Sequence, residues 1–415
     1  MGDSIPAPDK LELLPEPEDP RMMTTVDRDA PGYPGDAYGM SDEEAKQLRW
    51  PAAPLKEILW PWGAITFAFG AAFLLLVWPH INAYLSPVLP ETEWAFESTG
   101  IRELQDSGLD GSGVHVCMVD TGIDAEHPDF ENLSLVGFRD FYEGQHDNIR
   151  DVGDDWHGTM MAGLLVADGK FRGSAPGVDL SVALALGPSG TSGNEDFVAQ
   201  AVRWCRITQE ADIISLSLGS DPGSGMAVQS ETAQAVEEAL ESGIFVVAAA
   251  GNRDSGDMVS DVSVPANIEG VIAVGTITRN GATWSQTATG SAIDPYTQEN
   301  RSYPSQKPEV IAPGVLLLST SGSSSEPSYA YSTGTSDSTV LVTGALALIL
   351  QLHGEDLRGE DGVIGAEEMN LVKRTLASSC DKSVTEGAPH VSKGGYGSLD
   401  AVQWAADVGF ELNAN

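Results

Sequence analysis

The chain has 415 residues, which allows one large domain or two ordinary ones. Hydrophobic residues make up 41% of it, enough to bury a sizeable core. Its 61 acidic and 22 basic residues give a net charge of −39, which argues against a nucleic-acid partner because no basic patch can meet the phosphates. A dispersed acidic surface instead resists association, and it suits high salt, which screens its self-repulsion.

Residues 1–57 are predicted to form a disordered, acidic and proline-rich cytoplasmic tail. The stretch PAPDKLELLPEPEDP mixes proline with Glu and Asp, and it has too few apolar residues to build a core.

Residues 58–80 are predicted to form a transmembrane helix. The run from Ile58 to Pro90 contains no Asp, Glu, Lys or Arg, and tryptophans lie at both ends of its most apolar part, as in interfacial belts. The alternatives are a buried core helix and a signal peptide, but the leader is too long for a signal peptide. More positive charges precede the run than follow it, so we expect the rest of the chain to be extracytoplasmic.

The three cysteines, Cys117, Cys205 and Cys380, form no CxxC motif and cannot all pair. Cys117 lies in an apolar run, as a small buried hydrophobic residue does. We therefore expect no disulfide framework and no cysteine metal site.

After a linker over residues 81–93, residues 94–415 are predicted to form one α/β domain. Short apolar runs typical of buried strands alternate with segments of helical spacing, which indicates a largely parallel sheet with helices on both faces. The predicted strands are VHVCMVD (114–120), LSVALAL (180–186), DIISLSL (212–218), IFVVAAA (244–250) and VIAVG (271–275). The predicted helices are WHGTMMAGLLVA, EDFVAQAVRWCRI and ETAQAVEEALESG.

Functional groups of parallel α/β sheets collect at the carboxyl ends of the strands. Asp120 closes the strand VHVCMVD, where a carboxylate can orient an imidazole, although an Asp there can also simply cap the following turn. His157 begins the helix in DDWHGTMMAGLL and could act as a general base, or it could be a satisfied structural histidine.

Ser336 leads into an apolar helix in the segment GTSDSTVLVTGALALIL. A serine there is usually a helix N-cap, but a backbone N–H and the helix dipole at the same place can stabilise an oxyanion. Asn252 follows a buried strand in VVAAAGNRD, where its amide could be a second oxyanion donor or could only form a turn.

Taken together and in this order, these residues resemble the subtilisin (subtilase) family of serine proteases. The resemblance covers residues 94–408 and rests on GSGVHVCMVDTGIDAEHPDF, HGTMMAGLL, GSAPGVDL, ISLSLGS, VVAAAGN, VPAN, VIAVG, VIAPGV, GTS and GGYGSLDAVQWA. It implies a subtilisin-like α/β fold, with Ser336 as nucleophile, His157 as general base and acid, Asp120 as its orienting carboxylate and Asn252 as oxyanion donor.

The resemblance also implies a binding site for extended polypeptide substrates. The peptide would pair as an added strand with Ser217, Leu218 and Gly219. The opposite side of the pocket would be lined by Ala250 and Gly251. The peptide bond before Pro265 would be cis. Ser263 would form a neutral pocket floor suited to an apolar residue. Asp257 and Asp261 lie close by in the sequence and could instead favour a basic one.

Three features depart from the family pattern. Asp337 stands where a methionine is usual, and its carboxylate could repel an oxyanion and raise the pKa of His157. Met160 replaces a second, non-catalytic histidine, which indicates a packing change. The short segment 164–174 argues against the family's tight calcium site, and weaker calcium sites among the carboxylates cannot be placed.

The sequence therefore predicts a membrane-tethered serine endopeptidase that works through an acyl-enzyme and needs no cofactor for its chemistry. It predicts no metal in the catalytic site. The alternative is a catalytically silent protein of the same fold that binds peptides at the membrane, suggested by Asp337. A transporter is disfavoured, because one span without polar residues forms no pathway.

Overall fold

The computed structural model describes residues 63–85, 90–190, 195–221, 230–253, 261–325, 328–360 and 362–414. The predicted tail and the start of the predicted span lie outside the described residues. The chain divides into two units, Met1–Leu85 and Ser86–Asn415, and we describe each by itself.

In the first unit the described residues form one helix, α1, over Gly63–Leu85. Its most apolar stretch is Phe67–Trp78. Large apolar side chains on it are exposed, for example Phe67 at 79% and Leu75 at 77%. The described part of the predicted span is thus helical, and its place in a membrane stays a prediction.

The second unit is built on a seven-stranded sheet. The strand order is β2-β3-β1-β4-β5-β6-β7, and every neighbouring pair is parallel. The separate hairpin β8-β9 is antiparallel. In chain order the elements are α2 (Pro90–Ser98), α3 (Ile101–Asp106), β1 (His115–Asp120), β2 (Ser134–Asp140), α4 (His157–Val166), β3 (Asp179–Leu184), α5 (Glu195–Ile207), β4 (Ile213–Leu216), α6 (Glu231–Glu241), β5 (Phe245–Ala249), β6 (Ile272–Ile277), β7 (Val310–Pro313), β8 (Val315–Thr320), β9 (Tyr329–Thr333), α7 (Thr335–Leu357), α8 (Ala366–Ser379) and α9 (Ala401–Ala414).

Strands β1, β3, β4, β5, β6 and β7 are almost wholly buried, because successive side chains point to opposite faces of the sheet and helices cover both faces. In β1, Val116 and Met118 join the core beneath α4, α7, α8 and α9, whereas Cys117 and Val119 join the core beneath α5 and α6. The predicted α/β class, with a parallel sheet between helices, is confirmed. All five predicted strands and three predicted helices are present, and β2, β7 and the hairpin are additions.

Helix α7 runs through the first of these cores. Among the described helices it alone is long and apolar enough to cross a membrane, but 89% of its apolar window is buried inside the domain. It is therefore a core helix, and its first turn carries Ser336.

A disulfide joins Cys117 on β1 to Cys205 on α5, so the expectation that the cysteines stay unpaired is wrong for these two. Cys117 points to the face of the sheet that α5 covers, and both residues are fully buried there. An odd number of cysteines does not prevent one pair. Cys380 remains as a buried free thiol.

Because this disulfide links positions 88 residues apart, removing it frees a long loop in the unfolded chain. We expect the pair of substitutions Cys117→Ala and Cys205→Ala to lower the free energy of unfolding by about 4 kcal/mol. Denaturant unfolding with and without dithiothreitol measures this. Reductant should destabilise the wild type and leave the double variant unchanged, and equal stability of both proteins without reductant would contradict the assignment.

Candidate active site

Asp120 is the last residue of β1, and it is fully buried. Its Oδ1 accepts hydrogen bonds from the Thr121 backbone N–H at 2.7 Å and from His157 Nδ1 at 2.7 Å. Since an ionised carboxylate can only accept, the proton of the neutral imidazole lies on Nδ1, which leaves Nε2 free to accept a proton. Asp120 therefore fixes the orientation of the His157 ring.

A second carboxylate fixes the start of α4, whose first residue is His157. Asp151 accepts from the Thr121 hydroxyl at 2.7 Å and from the Gly153 backbone N–H at 2.8 Å. Its other oxygen accepts from the backbone N–H and the hydroxyl of Thr159, both at 2.7 Å. The end of β1 and the first turn of α4 are thus tied to one half-buried carboxylate, which positions the imidazole.

Ser336 lies in the first turn of α7 but is not its N-cap, because Gly334 holds that position and no side chain caps the helix. Its hydroxyl donates to the Ser217 carbonyl at 3.1 Å. Within the part of the chain that the structure describes, no hydrogen bond joins Ser336 to His157. Both side chains line the same cleft of about 850 Å³, and hydrogen bonds of this kind often tighten only when substrate binds.

Asn252 lines the cleft a few residues beyond β5. Its Oδ1 accepts from the backbone N–H and the hydroxyl of Thr335, both at 3.0 Å. These two bonds fix the amide plane and leave the Nδ2 donors available. A Cβ added at Gly334 would lie 3.1 Å from Nδ2, so the amide nitrogen faces the start of α7, next to Ser336.

Asp337 is fully buried behind Ser336. The Ser332 hydroxyl donates to its Oδ2 at 2.9 Å, whereas its buried Oδ1 has no hydrogen-bond partner among the described residues. Burial disfavours the carboxylate and raises the pKa of Asp337 to about 7.

The buried carboxylates also act on His157. Burial alone would lower the pKa of the imidazole, but the charge and hydrogen bond of Asp120 outweigh it, and Asp337 and Asp151 add to them. Together they raise the pKa of His157 to about 9. The effect expected of Asp337 from the sequence therefore agrees in direction.

The predicted substrate-binding residues surround this cleft. Ser217, Leu218 and Gly219 continue beyond β4 along one side of it, and Gly251 and Ser263 also line it. The side chain of Ala250, which follows β5, is instead buried in the core beneath α5 and α6. Successive side chains point to opposite faces of the sheet, so it is the neighbouring Ala249 that lines the cleft.

Three other predicted features have clear positions. The Val264–Pro265 peptide bond is cis, as the resemblance implies. Met160 is buried and packs at the cleft beside His157. Asp261 accepts from both terminal nitrogens of Arg301 at 2.8 Å, so it is paired in the interior. Asp257 lies outside the described residues.

No cluster of three or more His, Cys, Asp or Glu suited to a metal ion occurs among the residues that the structure describes.

The sequence-based reasoning missed the cleft residues Trp156, Ser332 and Arg253. Trp156 and Ser332 carry no sequence signal, because their place depends on the turn before α4 and on strand β9. Arg253 directly follows Asn252, and this adjacency was a signal that could have found it.

The arrangement defines a class of protein: a serine-type hydrolase, in which a buried carboxylate holds an imidazole in one cleft with a serine at a helix N-terminus. The profile of the subtilase family matches residues 111–397, well over half of the chain. The chain belongs to the subtilase family and is a serine-type endopeptidase.

Several characterised relatives are similar to it. The major intracellular serine protease of Bacillus subtilis (strain 168) is 31% identical over 290 residues, which are 68% of this chain and 82% of that protein. Subtilisin DY of Bacillus licheniformis is 36% identical over 255 residues, 60% of this chain and 81% of that protein. Subtilisin E of Bacillus subtilis is 33% identical over 253 residues, 60% of this chain and 58% of that protein.

A solved structure supports the fold. The prenylagaramide maturation protease PagA superposes with a TM-score of 0.56 at 19% identity, and the match covers 74% of this chain and 98% of that one.

Asp337→Asn should move the pH dependence of catalysis. To accept a proton as a general base, His157 must be neutral, so in that role it makes kcat/KM rise with pH through its pKa of about 9. Asp337 is ionised at that pH, and removing its charge lowers the pKa of His157. The acid limb of the kcat/KM profile should therefore move to lower pH, and activity at pH 7 should rise.

Asp407→Asn, a half-buried carboxylate on α9 that does not line the cleft, is the matched control and should leave the profile in place. An unchanged acid limb in Asp337→Asn would contradict the electrostatic role given to Asp337.

Proposed function

We propose that this endopeptidase uses Asp120, His157 and Ser336 as its catalytic triad, and that residues 58–80 tether it to a membrane. The observation that carries the triad is the 2.7 Å bond from His157 Nδ1 to the buried Asp120, in the cleft that Ser336 also lines.

In the proposed reaction the substrate binds as an extended strand along residues 217–219. His157 Nε2 takes the proton of the Ser336 hydroxyl as Oγ attacks the scissile carbonyl. The Asn252 amide and the backbone N–H of Ser336 stabilise the resulting oxyanion. His157 then protonates the leaving amine, and water hydrolyses the acyl-enzyme by the same steps. These groups supply the whole reaction, so no cofactor is required.

The catalytically silent alternative rests on Asp337. Its carboxylate lies behind the nucleophile and is held by Ser332, so it acts on the pKa of His157 without blocking the cleft. We therefore propose that it shifts activity to higher pH rather than abolishing it.

Ser336→Ala tests the nucleophile in the full chain in detergent, with a denatured protein as substrate at several salt concentrations. Loss of the nucleophile should reduce hydrolysis by a factor of about 10⁶, since the remaining groups cannot form the acyl-enzyme. Ser383→Ala, at an exposed serine whose hydroxyl donates to Asp381, is the control and should cleave normally. Undiminished hydrolysis by Ser336→Ala would exclude the triad.

Three observations support the tether and its orientation. Helix α1 presents exposed apolar side chains, including Phe69, Phe73 and Leu76, as a segment surrounded by lipid does. The Cys117–Cys205 disulfide is typical of proteins that fold in an oxidising, extracytoplasmic compartment. The positive flank before the span gives the same orientation.

Leu75→Arg combined with Leu76→Arg should release the protein from membranes, because each charge at the centre of a span opposes insertion by about 3 kcal/mol. Cell fractionation with an alkaline wash measures this. Phe410→Arg, an equally exposed apolar residue on α9, should leave the protein in the membrane fraction. A wild type that is wholly soluble would refute the tether.

A further inference from the structure

The pocket beside Ser336 is formed where the chain continues beyond β4 and β5, two neighbouring parallel strands. Ser263 lies between the two walls. A Cβ added at Gly219 would lie 2.6 Å from Ser263 Cβ, and one at Gly251 would lie 2.2 Å from Ser263 Oγ. A side chain at either glycine would therefore collide with Ser263, and the φ of +105° at Gly251 is one that side chains rarely adopt, so neither wall carries a side chain at these positions.

Backbone hydrogen bonds fix this floor to both walls. The Ser263 N–H donates to the Ala250 carbonyl at 2.8 Å on the β5 side. Ser220 and Val264 exchange two backbone bonds, at 3.0 and 2.9 Å, on the β4 side. The floor is thus a rigid part of the pocket, and a group attached to it is held in place.

The side chain of Arg253 is hydrogen-bonded to Ser263, the floor of the pocket. Its terminal nitrogen donates to Ser263 Oγ at 3.0 Å, and its backbone N–H donates to the Gln286 carbonyl at 2.6 Å. The side chain is only 15% exposed and lines the cleft together with Asn252, its neighbour in the chain. A guanidinium therefore stands in the pocket where the sequence predicts a neutral floor.

The guanidinium is not fully satisfied. Its Nε is buried without a hydrogen-bond partner among the described residues. Its charge partner is Asp221, whose side chain is 61% exposed. An exposed carboxylate can rotate into water at little cost, so Asp221 is a replaceable partner.

The other charged groups of the cleft lie elsewhere. Asp154 donates its backbone N–H to the Pro188 carbonyl at 2.8 Å, beyond the end of β3, and Asp155 follows it. β3 and β5 lie on opposite sides of β1 in the sheet. Asp261 is paired with Arg301 in the interior and offers no charge to the pocket.

We propose that Arg253 is a specificity-determining residue that binds an acidic side chain, so that the enzyme cleaves after Glu or Asp. The inference rests on the proposed function and concerns the P1 residue, whose carbonyl is attacked. The substrate carboxylate enters between the walls, takes the place of Asp221, and forms paired charge-assisted hydrogen bonds with the guanidinium. A basic P1 residue meets a like charge there.

The test compares full-chain enzyme on peptides that differ only at P1: Glu, Gln, Leu and Lys. We expect kcat/KM for Glu to exceed that for Gln by about tenfold to a hundredfold, as for other hydrogen bonds between charged groups, and to fall as salt rises. Arg253→Gln should remove this ratio while hydrolysis of the Leu peptide continues. Asp221→Asn should increase the ratio, because it removes the competing carboxylate.

Arg203→Gln is the matched control, because this arginine pairs with Glu231 and Glu238 outside the cleft; it should leave the ratio unchanged. Equal rates for Glu and Gln in the wild type, or a ratio that survives Arg253→Gln, would overturn the inference while the endopeptidase itself stands. Failure to cleave any of the four peptides, together with failure to cleave denatured protein, would overturn the proposed function instead.

Discussion

The buried helix α7 is the constraint on which the site depends. It packs against β4, β5, β6 and β7, and its apolar residues from Val340 to Leu350 are buried in one core. Its direction fixes where its first turn emerges, next to the ends of β4 and β5, and so fixes the backbone N–H and hydroxyl of Ser336. Because the helix is packed in the core, Ser336, the proposed nucleophile, is positioned by core packing rather than by a surface loop.

The same burial determines the electrostatics. Asp120 and Asp337 are fully buried, and Asp151 accepts hydrogen bonds on both of its carboxylate oxygens. Three acids therefore surround one imidazole in an environment of low dielectric constant. Their charges act strongly there, since little water screens them. The proton affinity of His157 is therefore set by interior groups, in a chain whose net charge is −39.

Positions that follow from strand order were predictable, and those that follow from packing were not. Asp120, His157 and Asn252 could be placed because each adjoins a clear apolar strand or helix. The Cys117–Cys205 pair could not, because it depends on which face of the sheet α5 covers. Strand β2 was missed because it is a half-exposed edge strand. The adjacency of Arg253 to Asn252 could have placed it at the cleft, but not its contact with Ser263, because only the folded backbone brings those two loops together.

The most direct test of the account is the reaction of the full chain with a serine-directed phosphonate, followed by mass spectrometry of the peptides. The account predicts one adduct, on Ser336, formed by the wild type and strongly reduced in His157→Ala, because the hydroxyl needs its base to react. An adduct on another serine, or no adduct on folded protein at any pH up to 10, would contradict the claim that these buried acids and the imidazole activate Ser336.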